Sequence, residues 1–179
     1  YNFRKYINCS SVPGLVVKNG AGTYYNQPSK HYTWDWPAFQ DWDIFDKRHL
    51  LKPFMGKIHR TGFFEIGRGC PFKCTYCTNE LCQKIFKDLG SFNRQKPIPL
   101  AIAEMKYLKQ KHNLELIFFN DENFLTMPPA RFEMFCDQYS RHINLPFFIM
   151  TRADSLLHLP KLEKLKAVGC VTIGIGVES

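Results

Sequence analysis

The sequence predicts an α/β fold, a parallel sheet of four strands covered by helices. Three observations predict it. From about residue 62 onward, short apolar runs alternate with longer stretches of helical periodicity. The runs are nearly continuously apolar, which marks strands buried on both faces. The residues with chemistry to offer cluster just after those runs, at the strand ends where α/β folds carry their sites.

Residues 62–67, Gly-Phe-Phe-Glu-Ile-Gly, read as a strand that runs into a cysteine-rich loop. Residues 97–112 carry Ile98, Ala101, Ile102, Met105 and Leu108 on one helical stripe, with Lys106, Lys109 and Lys111 on the wet side. Residues 114–120 form an apolar strand that ends at Asp121-Glu122-Asn123. A second helix over 128–142 has its core face set by Phe132, Phe135, Cys136 and Tyr139. A strand follows over 146–151, then a short helix over 160–168 closed by Gly169, then a last strand over 170–177 ending Glu178-Ser179. Right-handed crossovers between such strands follow from chain chirality.

Residues 1–60 have another character. Turn formers punctuate them at Pro13-Gly14, Asn19-Gly20 and Asn26-Gln27-Pro28-Ser29, and no period runs far. Three Trp and several Phe follow, as in Trp34-Asp35-Trp36 and Trp42-Asp43-Ile44-Phe45. These predict an ordered but irregular arm packed on a neighbouring surface. A loop this long inside one compact domain would be unusual, so an inter-domain connector is the better account.

At 179 residues and 45% hydrophobic, the chain can bury one sizeable core, which excludes a disordered tail, a coiled coil and a collagen-like rod. Lys and Arg number 24 against 16 Asp and Glu, a net charge of +8. The excess lies mostly in the first half, in no block long enough for a nucleic-acid arm or a membrane patch. No apolar run approaches the roughly 20 residues of a spanning helix. The opening Tyr1-Asn2-Phe3-Arg4-Lys5 shows neither an initiator Met nor an apolar leader, so a piece of a longer protein is expected.

Seven cysteines cannot all pair. Cys70, Cys74 and Cys77 crowd together, whereas Cys9, Cys82, Cys136 and Cys170 are dispersed. Clustered thiols without a secretion signal predict metal ligands in a reducing cytoplasm rather than bridges. Cys136 and Cys170, on a helix core face and at a strand entrance, are expected to be packing residues. The spacing Cys-x3-Cys-x2-Cys can bring three thiolates to one centre, and soft sulfur ligands select iron–sulfur clusters, zinc or copper. Three ligands leave a cubane cluster with one open iron, where a substrate or cofactor can bind. Zinc would want a fourth ligand, and Cys82 does not complete the two close pairs that structural zinc sites use.

The loop Arg68-Gly69-Cys70-Pro71-Phe72-Lys73-Cys74-Thr75-Tyr76-Cys77, following a strand, resembles the cluster loop of the radical S-adenosylmethionine (SAM) superfamily. Residues 116–124, Leu-Ile-Phe-Phe-Asn-Asp-Glu-Asn-Phe, are similar to the second-strand motif of its cobalamin-associated branch. Thr151-Arg152-Ala153-Asp154 resembles the third-strand signature, and Ala167-Val168-Gly169-Cys170 with Ile173-Gly174-Ile175-Gly176-Val177-Glu178-Ser179 the fourth. Residues 1–60 resemble the linker that joins a cobalamin-binding domain to the barrel. The resemblance covers nearly the whole chain.

It implies a partial (β/α)6 radical SAM barrel over 61–179, truncated after its fourth strand and preceded by the irregular linker arm of 1–60. It implies a 4Fe–4S cluster held by Cys70, Cys74 and Cys77, with SAM chelated to the open iron and reductively cleaved to a 5′-deoxyadenosyl radical. Tyr76 would lie near the adenine. Asp121 and Glu122 would lie at the methionine end of SAM, although the family's commoner Gly-Gly-Glu is absent. Arg152 would pair with the SAM carboxylate or with Asp154, and Glu178 would accept bonds from the ribose or the amino group. Cobalamin, in a domain not present in the sequence, and cobalamin-dependent methyl transfer rest on the linker alone. An external one-electron reductant is implied, and the substrate, small molecule or macromolecule, is not.

Other readings weigh against this one. A tRNA methylthiotransferase of the same superfamily would bring a second cluster with three further cysteines upstream, and only Cys9 precedes the loop. A non-catalytic iron–sulfur or zinc module fits the thiolates but gives no reason for charged residues at every strand end. A nucleic-acid-binding domain would want basic residues interleaved with exposed aromatics along one face.

Overall fold

The computed structural model describes residues 12–20, 22–34 and 38–177. They form two compact units: one gathers residues up to 32 with 72–92, the other 33–71 with residues from 93 onward.

The smaller unit holds a hairpin and a helix. Strands β1 (Val16–Asn19) and β2 (Gly22–Tyr25) pair antiparallel, Val16 opposite Tyr25. Helix α1 (Thr78–Ile85) is capped by the Cys77 sulfur, which accepts from the Asn79 N–H at 3.5 Å. Within this unit His31 donates its backbone N–H to Leu89 O at 2.7 Å, and its ring meets Phe86 and Phe92 edge-on.

The larger unit is built on a five-stranded sheet. Strand β3 (Leu51–Phe54) pairs antiparallel with β4 (Lys57–Phe64) through the turn Met55-Gly56, where both residues have positive φ (48° and 76°). That is the backbone a two-residue hairpin of right-twisted strands requires, and Gly56 meets it without strain. Strand β4 continues past the hairpin to pair parallel with β7 (Leu116–Phe119); β7 pairs parallel with β8 (Phe147–Arg152), and β8 with β9 (Cys170–Gly176). Helices α2 (Ile98–His112), α3 (Pro129–His142) and α4 (Leu159–Ala167) carry the crossovers, each with Pro in its first turn, where the missing N–H costs nothing. Two-residue strands β5 (Gly67–Arg68) and β6 (Arg94–Gln95) pair antiparallel and bracket the cysteine-bearing segment.

One sheet face packs on the helices. Phe64, Ile117, Phe119, Phe147 and Ile149 meet Met105, Leu108, Phe135, Cys136 and Tyr139 in the core. Phe119 lies within ring contact of Phe124, Phe135, Tyr139 and Phe147. The buried Tyr139 hydroxyl donates to Leu145 O at 3.0 Å, which removes the penalty of burying it. On the other face Phe63, Phe118 and Phe148 stand half-buried in a row, the last two stacked at 4.1 Å. Gly62 makes room for a neighbouring side chain: a Cβ there would stand 2.5 Å from Leu114 Cδ1.

The four parallel strands and the three helices lie where the sequence reading puts them, within a residue or two for the helices. Three details differ. The expected irregular arm contains β1, β2 and β3, whose four-residue lengths are too short to show a period. The first parallel strand runs over Lys57–Phe64 rather than 62–67, because the chain bends at Glu65-Ile66 to form β5. Helix α1 was not expected. Of the arm's aromatics, Trp34 is buried and Trp42 packs on Phe64 and His112, whereas Phe45 remains exposed, as does its neighbour Ile44. Trp36 lies outside the described residues.

Candidate functional site

The carboxyl ends of the parallel strands carry most of the residues with chemistry to offer. Just beyond β7, Asp121 is 4% exposed, and its Oδ2 accepts the Ile66 N–H at 3.2 Å; Gly67 N–H also donates to this carboxylate. Burial raises the Asp121 carboxyl to about 7, against the lowering effect of those backbone donors. Two residues on, the buried Asn123 accepts at Oδ1 from Thr151 Oγ1 at 2.7 Å, tying the end of β7 to the end of β8. Glu122, between them, is exposed.

At the end of β8, Arg152 grips Asp154 with two parallel bonds, Nε to Oδ1 at 3.1 Å and Nη2 to Oδ2 at 2.9 Å. This pair holds the Asp154 carboxyl below the usual carboxylate range. Asp154 is one of the two partners expected for Arg152. In β5, Arg68 forks onto Glu65 and lies over the Trp34 ring at 5.5 Å. Glu65 raises the Arg68 guanidinium above its ordinary value, and burial opposes it.

In the cysteine loop, Cys70, Cys74 and Cys77 are half-buried, and none is in a disulfide. Cys77 N–H donates to Cys74 O at 2.9 Å, and Glu80 N–H to Cys77 O at 3.3 Å, so the second and third cysteines share one turn that leads into α1. Among the described residues, no three His, Cys, Asp or Glu side chains converge in metal-binding geometry. The donor set itself fits a cluster: three soft, unbridged sulfurs within one loop, accessible enough to be loaded. Tyr76 is 65% exposed, so it is no core aromatic. Cys136 is fully buried, and burial pushes its thiol up to about 12; Cys170 is half-buried and pushed up to about 11. Both are inert packing thiols, as expected. Glu178 and Cys9 lie outside the described residues.

Three residues escaped the sequence reading. Arg131 donates through Nη2 to Ile66 O at 3.0 Å and to Lys96 O at 2.5 Å. Its signal in the sequence was a cation in the first turn of a helix, where the macrodipole disfavours one. Lys96 and Glu104 form a buried ion pair at 2.5 Å, and Glu104 also accepts Gln40 N–H at 2.9 Å. A charge pair eight residues apart, one member just past a strand and one on a helix, has no sequence signature.

No protein-family model matches the chain. Among curated proteins it is 26% identical, over 142 residues, to the anaerobic magnesium-protoporphyrin IX monomethyl ester cyclase of Rubrivivax gelatinosus, covering 78% of this chain and 24% of that one. Among solved structures it resembles the radical S-adenosylmethionine methyltransferase TsrM from Kitasatospora setae, a structure with cobalamin and a [4Fe-4S] cluster bound. The TM-score is 0.55 at 13% identity, over 94% of this chain and 33% of that one.

In sequence the chain is similar to that cyclase, and in fold to TsrM. Its parallel sheet, with helices on one face, is the partial radical SAM barrel that the sequence implies. It spans about a quarter of the length of the curated relative and a third of TsrM. No helix among the described residues is long and apolar enough to cross a membrane.

Proposed function

We propose that this radical SAM relative binds a 4Fe–4S cluster through Cys70, Cys74 and Cys77 and uses it to cleave SAM. The observation that carries the reading is the Cys-x3-Cys-x2-Cys loop, which leaves the first parallel strand of a radical SAM-like sheet. When bound, the cluster supplies the electron that reductively cleaves SAM to methionine and a 5′-deoxyadenosyl radical, with an external one-electron reductant upstream.

The chain's own residues divide the remaining work. The three thiolates hold the iron and leave one coordination position for SAM. Tyr76, exposed beside the third cysteine, offers a ring face for the adenine. Glu122, exposed at the end of β7, is proposed to meet the amino group of SAM; Asp121 accepts from the backbone of Ile66 and Gly67. Arg152 would have to exchange Asp154 for the SAM carboxylate, and Glu178 serves the ribose or the amino group. The whole protein is proposed to be a cytoplasmic enzyme in which residues 1–60 link this core, over 61–179, to a cobalamin-binding domain, with methyl transfer as the reaction class.

The test is anaerobic reconstitution with iron and sulfide, reduction, addition of SAM and assay of 5′-deoxyadenosine. The reading expects a brown protein that releases it. A loaded protein that yields none, also as the full-length parent, would leave a non-catalytic iron–sulfur module.

A further inference from the structure

We infer that Asp121 and Arg131 are positioning residues that clamp together the two ends of the cysteine-bearing excursion, residues 69–93. The inference rests on the proposed cluster only for what the clamp is for. The clamp itself is visible in the larger unit.

The excursion leaves the sheet after β5 and returns through β6, and the ladder between them is two residue pairs long, Gly67 opposite Gln95 and Arg68 opposite Arg94. A ladder that short is marginal by itself in water. Ile66, on the outgoing side, is held through both its backbone N–H and its backbone C=O. Its N–H donates to Asp121 Oδ2 at 3.2 Å; its C=O accepts from Lys96 N–H at 2.9 Å and from Arg131 Nη2 at 3.0 Å. The same Nη2 reaches Lys96 O at 2.5 Å on the returning side, so one guanidinium spans both ends. Lys96 is fixed in turn by the buried Glu104 of α2.

Two further features show that the arrangement is built rather than incidental. Gly67 fits it closely: a Cβ there would lie 3.1 Å from Asp121 Oδ1, so the carboxylate would have to shift. Arg131 is also held at a cost. Burial lowers its guanidinium below the ordinary value, and Nε is buried without a hydrogen-bond partner. The buried Asn123 Nδ2 is likewise without a partner, and both orphans line one pocket with Asp121, Gly69 and Asn93. Gly69 and Asn93 are the first and last residues of the excursion. A polar pocket with two orphaned donors and a carboxylate takes an ordered water, which would complete the clamp.

The test compares wild type with Asp121→Asn, Arg131→Met and Arg131→Lys, by limited trypsin digestion of the apo chain and by spectroscopy after cluster reconstitution. Lys73, Lys84 and Lys87 are exposed cleavage sites within the excursion. Cleavage there should rise about tenfold in Asp121→Asn and Arg131→Met, as a local opening gains when a charge-assisted hydrogen bond is lost. Sites such as Lys106 and Arg141 should keep their rates. Arg131→Lys, which retains a cation but not the fork, should recover part of the protection. In the loaded protein, the EPR line shape and midpoint potential should shift in Arg131→Met and move back toward wild type in Arg131→Lys.

Wild-type cleavage rates and spectra in all three variants would overturn the clamp, as would cleavage raised equally at every site. If Arg131→Met fails to fold, Asp121→Asn and Arg131→Lys decide. If wild type takes up no cluster, the proposed function fails and the digestion pattern alone decides the clamp.

Discussion

Cys74 and Cys136 are both cysteines without a disulfide, yet they live in opposite surroundings. Cys74 is half-buried in a loop; Cys136 is sealed in the core with its thiol pushed up to about 12. Cys74→Ala should therefore abolish the visible absorbance of a reconstituted cluster while leaving thermal stability nearly unchanged. Cys136→Ala should keep the absorbance and cost about 1 kcal/mol by opening a small cavity. Asp121 gives a second prediction. Its carboxyl is raised to about 7, so between roughly pH 4 and pH 7 the folded chain holds a proton that the unfolded chain has lost. Its contribution to stability is thus present at low pH and fades as pH rises toward 7. Asp121→Asn should flatten that decline, by about 1–4 kcal/mol across the window, in chemical denaturation at a series of pH values. An unchanged pH slope would contradict the raised carboxyl. At this scale the cysteines were legible in the sequence because their spacing is local. Arg131 and Asp121 as partners of Ile66 were not, since their meaning depends on which backbone groups the fold brings beside them.

The elements that carry a long apolar period were the legible ones. Helices α2 and α3 follow their stripes, and strands β7, β8 and β9 follow apolar runs bounded by turn residues. What escaped was short, as β3, β5 and β6 are, or set by tertiary contact. Strand β4 ends early because Asp121 takes the Ile66 N–H just past it, a pull no local pattern announces. The Met55-Gly56 turn offers a test of the hairpin. Met55 has φ 48° and is 75% exposed, so its side chain gains little there while its backbone is strained. Met55→Asn would make the preferred Asn-Gly turn and should raise stability by about 0.5–1 kcal/mol in urea unfolding. Gly62→Ala should do the reverse, losing about 1–3 kcal/mol as the new methyl meets Leu114. A neutral Gly62→Ala would mean that β4 and Leu114 are less tightly apposed than they are here.

For the whole molecule, the alternation of strands and helices and the likeness to TsrM agree on one architecture, a partial radical SAM barrel. The net charge of +8 is what remains after ion pairs cancel, since each pair removes one positive and one negative charge. Arg68 is forked onto Glu65, Arg152 onto Asp154, and Lys96 is buried against Glu104. That three cysteines of one loop hold an iron–sulfur cluster is tested by counting metal. After anaerobic reconstitution and desalting, the chain should retain roughly four irons and as many sulfides, and a variant with Cys70, Cys74 and Cys77 all changed to Ala should retain almost none. Equal iron in the two proteins, or a single zinc in place of iron, would contradict it.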